Sequence, residues 1–138
     1  MSIVTGLAGS RGPMSVISAL ATGLAANRTL FGIGYLAAPA RAGGGWFEDA
    51  AEDERAAAPI RALGARDLVL GLGALWAQRG GRADPRAWFA AHAIADGVDL
   101  ATTVAGRRHL STRALAFASA MAGASTAIAI AAALAPES

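Results

Sequence analysis

Ionic side chains lie inside the apolar stretches of this chain, and that combination restricts its fold more than any other feature. Arg28, Arg66, Asp67, His92, Asp96 and Asp99 interrupt alanine-rich segments that otherwise read as membrane spans. A charge near the centre of a spanning helix costs about 2.5–3.5 kcal/mol on insertion scales. The five formally charged residues would together cost on the order of 12–17 kcal/mol without partners, more than the stability of a typical domain. The economical solution is a bundle in which these side chains converge on one another, away from lipid.

Composition agrees with that reading. Of 138 residues, 54% are hydrophobic and 16% charged, and the mean hydropathy is +0.42, richer in apolar residues than an average soluble domain. The length suits one domain. All basic residues are Arg, which accounts for a pI of 10.4 at a net charge of only +2. They are scattered between apolar stretches and do not line one strip with aromatic residues, so nucleic-acid binding is not indicated. There are no cysteines, which excludes disulfides and thiolate chemistry.

Four spans are predicted, at about 14–38, 60–78, 86–105 and 114–135, giving an all-α four-transmembrane-helix bundle in the cell membrane, with the lipid bilayer as its principal partner. Residues 1–12 read as a short Gly- and Ser-rich lead. A cleaved signal peptide competes for the first span, because Arg11 precedes an apolar run, but no small-x-small cleavage site follows. Between the first two spans lie Gly43 to Gly45, Trp46 and Phe47, then Glu48, Asp49, Glu52, Asp53 and Glu54. This reads as a solvated acidic loop or, less simply, a segment at the membrane interface. The fourth stretch, 114–136, carries no charge. Ser119, Gly123, Ala127 and Ala131 recur along it every four residues, a face suited to close packing or to a homo-oligomer, and no chemistry is expected from this helix. Arg11, Arg79, Arg82 and Arg86 fall on one side of such a topology and Arg41, Arg55, Arg61, Arg107, Arg108 and Arg113 on the other, a small excess favouring both termini outside. A soluble alanine-rich bundle is the alternative to a membrane protein.

Residues three, four and seven apart share a helix face. His92, Asp96 and Asp99 obey that spacing, extended by Trp88 and Thr103. Asp67 shares a stripe with Gly64, Gly71 and Ala74, where a neighbouring backbone can approach closely, while Arg66 points about 100° away. Arg28, Gly32 and Tyr35 share a third face. Two guanidiniums would neutralise two of Asp67, Asp96 and Asp99, leaving one carboxylate beside His92. Such a group suits proton handling or the binding of a small polar ligand. Arg28, Tyr35, Arg66, Asp67, His92, Asp96 and Asp99 are the candidate ligand-binding residues; His92, Asp96 and Asp99 are candidates for an acid–base pair in a small membrane enzyme. Charges paired only to fix helix register, in a structural or accessory subunit, are the competing reading. A metal site is disfavoured by two nearby Arg residues. A haem on His92 and His109 is disfavoured because His109 falls beside Arg107 and Arg108, and no serine triad is present. No cofactor is expected.

The run Gly64-Ala65-Arg66-Asp67-Leu68-Val69-Leu70-Gly71, preceded by Phe31-Gly32-Ile33-Gly34-Tyr35-Leu36-Ala37-Ala38-Pro39 and followed by a span holding Asp96, resembles a family of small four-helix membrane proteins similar to the DoxX-like group. The resemblance covers roughly residues 28–104. It implies the membrane topology and the importance of Arg66, Asp67 and Asp96, and it implies no activity. The long apolar lead before Arg28 departs from the family pattern.

Overall fold

The computed structural model describes residues 13–135; the expected lead at 1–12, with Arg11 and the signal-peptide reading that used it, lies outside them. The described chain is all-α, with five helices: α1 (Pro13–Ala37), α2 (Pro39–Phe47), α3 (Glu54–Gln78), α4 (Pro85–Ala105) and α5 (Thr112–Leu134). Short 3-10 turns at Glu48–Glu52 and Arg107–His109 join them.

Local chemistry sets the boundaries. Ala38, held out of helical geometry before Pro39 (φ −141°, ψ 66°), separates α1 from α2 because the proline ring clashes with a helical predecessor. Asp53 caps α3, accepting from the Arg55 N–H at 2.9 Å, and Asp84 caps α4, accepting from the Arg86 N–H at 2.8 Å. The Ser111 hydroxyl oxygen accepts from the Ala114 N–H at 3.1 Å and starts α5. These caps satisfy amides that a helix start leaves orphaned. They explain why α3 begins six residues before the expected residue 60: the Asp53 cap outweighs Pro59, whose missing N–H costs one bond inside the helix.

The segment expected as an acidic loop is instead α2 and its 3-10 turn. Pro39 at the first helical position is pre-set for helix, and Gly43 is buried where an added methyl would touch the Ile60 side chain at 3.0 Å. Its far end is clasped to α5: Glu48 accepts from the Ser111 hydroxyl at 2.5 Å and from the Ser111 N–H at 3.3 Å. Glu48 adopts φ 51°, the only positive φ at a non-glycine among the described residues. Both hydrogen bonds favour the carboxylate and hold the Glu48 carboxyl below its usual range. A depressed folded value contributes stability that is complete above the unfolded value, about 4.3, and is lost as pH falls through the folded one. Wild-type protein should therefore lose part of its melting temperature on acidification below about pH 4, and Glu48→Gln should lose less. Parallel acid limbs in thermal scans of the two proteins would disprove the clasp.

Two helix pairs form the bundle, α1 against α3 and α4 against α5, and looser α1–α5 and α3–α4 seams close it. The α1–α3 crossing runs through glycines. A methyl on Gly32 would stand 2.5 Å from the Leu68 amide nitrogen, and one on Gly64 would stand 2.7 Å from the Tyr35 Cβ. On α5 the buried face is Ala114, Ala118, Ala122, Ala129 and Ala132. Within the bundle the expected stripe is not the packed face: Ser119 and Gly123 are only half-buried, Ala127 and Ala131 are exposed, and an added methyl on Gly123 would touch nothing within 4 Å. Alanine on the buried face lets the partner helix close without leaving voids.

The distribution of polarity is inverted relative to a water-soluble bundle. Arg28, Asp67, His92, Asp96 and Thr103 are buried, whereas Leu30, Val69, Ile94 and Leu134, one on each long helix, are 60–73% exposed. By length and composition, α1 from Val16 and α5 are apolar enough to cross a membrane. The other two long helices carry the interior carboxylates, which lower their average hydropathy.

Candidate functional site

The interior charges form one chain of contacts that touches all four long helices. Arg66 on α3 grips Asp99 on α4 bidentately, at 2.8 and 2.6 Å. Its Nε and Nη2 also reach Asp67 Oδ1, at 3.2 and 3.1 Å. That same oxygen accepts from Arg28 Nη1 on α1 at 3.3 Å. Arg28 Nη2 continues to Asp96 Oδ1 on α4, and Asp96 Oδ2 accepts from the Ser125 hydroxyl on α5. Planar guanidiniums suit this bridging, since each offers several donors in a fixed fork.

Apolar clusters flank the chain along the bundle axis. On one side Ala21, Ala25, Ala74, Phe89 and Ala132 pack together; on the other, Tyr35, Ala51 and Ile60 do. Between them the exposed fraction of the ionic side chains grades from 4% at Asp96 and 7% at Arg28 to 32% at Arg66. The Arg66 end is therefore the most exposed part of the chain and the Asp96 end the least.

A cavity of about 380 Å³ opens beside this chain, between α1 and α5. Arg28, Asp67, Asp96, Asp99 and Ser125 form its polar floor, and Tyr35 and Trp46 border it. Its mouth is apolar, with Leu20, Phe117 and Met121 all exposed. A second cavity of about 750 Å³ lies near the α3–α4 turn beside Arg79 and Arg82 and contains none of the predicted site residues.

Six of the seven predicted residues sit in or against the charge chain, on the faces their spacing requires. Two corrections follow. First, no carboxylate is left over beside His92: Asp67, Asp96 and Asp99 all accept from guanidiniums, so the expected Asp–His acid–base pair is not formed. His92 is fully buried against Phe89, ring centroids 5.5 Å apart, and neither ring nitrogen has a hydrogen-bond partner. The cause is axial: His92 and Asp96 share a face but lie about 6 Å apart along the helix, enough for Arg28 to reach one and not the other. Second, Arg66 and His92 do not line the cavity, whereas Ser125 does. Ser125 corrects the expectation that the fourth span takes no part in the chemistry. A hydroxyl in an otherwise apolar, alanine-rich helix was the available signal for it, since a hydroxyl withdrawn from water needs a hydrogen-bond partner.

No protein family, curated protein or solved structure matches the chain.

Proposed function

We propose that the protein is a four-span integral protein of the cell membrane whose interior Arg–Asp chain is the binding site for a small polar ligand. The inverted polarity supports four spans, including the two helices whose charges depress their hydropathy, because α3 and α4 turn Val69, Leu72, Ile94 and Val98 outward and their carboxylates inward. The DoxX-like likeness belongs to the same proposal and rests on the Arg66-Asp67 motif. One observation carries the binding reading: the charge chain is left open to a cavity on one flank. Ion pairs that only fix register are best closed over, since a fully satisfied network in a dry interior avoids water penetration.

Gly23 borders the cavity, and an added methyl there would meet nothing within 4 Å, so Gly23→Phe should fill the site while the helix backbones keep their places. Wild-type protein extracted in mild detergent should carry a small molecule visible by native mass spectrometry, and Gly23→Phe should lack it. Identical spectra would reject the binding reading.

The structural reading has its own support in the pairing of all three carboxylates. Asp96→Asn separates the two. Loss of the bound molecule with folding intact favours binding; a fall in melting temperature with the spectrum unchanged favours assembly.

A further inference from the structure

In formal charges the chain is not neutral. Arg28 and Arg66 supply two positive charges against three negative ones from Asp67, Asp96 and Asp99, so every partner in the chain is engaged and one negative charge remains. That excess lies at the floor of the cavity, to which all three carboxylates and only one of the two guanidiniums are exposed. An occupant that stabilises the floor therefore brings one positive charge.

The shape of the cavity restricts the occupant further. Its mouth, at the α1–α5 seam, is walled by Leu20, Leu24, Phe117 and Met121, which belong to the outward, apolar faces of the bundle. The cluster of Ala21, Ala25, Ala74, Phe89 and Ala132, which draws on all four long helices, covers one axial side, and the lining residues exposed at the surface lie at the α1–α5 seam, which is the way in. At about 380 Å³ the cavity holds roughly a dozen water-sized groups, at about 30 Å³ each. A bare small cation would leave the apolar mouth unfilled, and an anion would be repelled by the floor.

Resting on the ligand-binding reading above, we infer that the site takes a small amphipathic organic cation, which enters sideways from the bilayer between α1 and α5. Its ammonium group sits at the Asp67–Asp96–Asp99 floor and its alkyl or aryl body lies between Leu20 and Phe117.

Trp46 borders the cavity and becomes the sole indole after Trp76→Phe and Trp88→Phe, so a heavy-atom quencher reports occupancy directly. In phosphatidylcholine nanodiscs, 8-bromooctylammonium should quench Trp46 saturably, at concentrations at least tenfold below those needed for 8-bromooctanol or 2-bromoethylammonium. 8-Bromooctyl sulfate should not quench saturably. Gly23→Phe should abolish the saturable phase. Asp99→Asn, which makes the chain neutral, should reduce the preference for the cation over the alcohol to less than twofold, with its folding checked by circular dichroism.

Equal quenching by the alcohol and the octylammonium overturns the charge assignment, as does a cation preference that survives Asp99→Asn. Equal quenching by 2-bromoethylammonium overturns the amphipathic body and lateral entry. In those cases a co-purifying molecule displaced by Gly23→Phe still upholds ligand binding. Absence of both the quenching and that molecule overturns the two readings together.

Discussion

Arg28→Leu lowers the stability of the folded protein by about 3–5 kcal/mol, the cost of removing one partner from a buried ion pair. The reason is the position of Arg28. Its guanidinium bridges Asp67 and Asp96, on two different helices, and at 7% exposure no solvent replaces it. Removal leaves Asp96 with only the Ser125 hydroxyl and raises the excess negative charge of the chain from one to three minus one, that is, two. The double variant Arg28→Leu, Asp96→Asn should recover much of the loss, because it returns the excess to one and leaves an amide that still accepts from Ser125. Thermal unfolding in detergent measures both. If the double variant is no more stable than the single one, the loss comes from packing and not from charge. Arg66→Leu should cost less, since its side chain is 32% exposed and water screens what remains.

Gly32→Ala should destabilise by about 1–3 kcal/mol, the usual range for overpacking a filled interior, even though alanine is the better helix former by about 1 kcal/mol. Its methyl would stand 2.5 Å from the Leu68 amide nitrogen and 2.8 Å from the Gly64 carbonyl oxygen. Those are backbone atoms, so relief requires the two helices to separate. Separation also lengthens the Arg28–Asp67 contact, one turn along α1. Gly23→Ala is the control: nothing lies within 4 Å of the added methyl, and the same gain in helix propensity should show as unchanged or raised stability. A rise in melting temperature for Gly32→Ala would refute the close α1–α3 crossing.

The helical faces were readable because spacing along one helix is a local property. Arg28, Gly32 and Tyr35 are buried together, as are Gly64, Asp67, Gly71 and Ala74, and His92 with Asp96. Physical chemistry also demanded that the charges converge, since lipid or a dry interior tolerates none of them alone. The first half of the fold was less legible. The Gly43-Gly44-Gly45 run argues against helix on propensity, and α2 forms because Gly43 packs under Ile60, a contact across residues that no local pattern contains. The α5 face was misread for a related reason. In a helix of alanine, serine and glycine many rows are small enough to pack, and the choice among them belongs to the partner helix.

The chain itself prescribes long helices, each with one ionic stripe and an apolar remainder, because a period of 3.6 residues sorts side chains onto faces whatever the neighbours are. Which ion meets which, that Arg28 takes Asp96 while His92 one turn away takes nothing, and that Ser125 completes the chain beside a cavity at the α1–α5 seam, depends on axial register and helix separation. Those are relations between helices, set when glycines at one crossing let two backbones touch and larger side chains at another hold them apart.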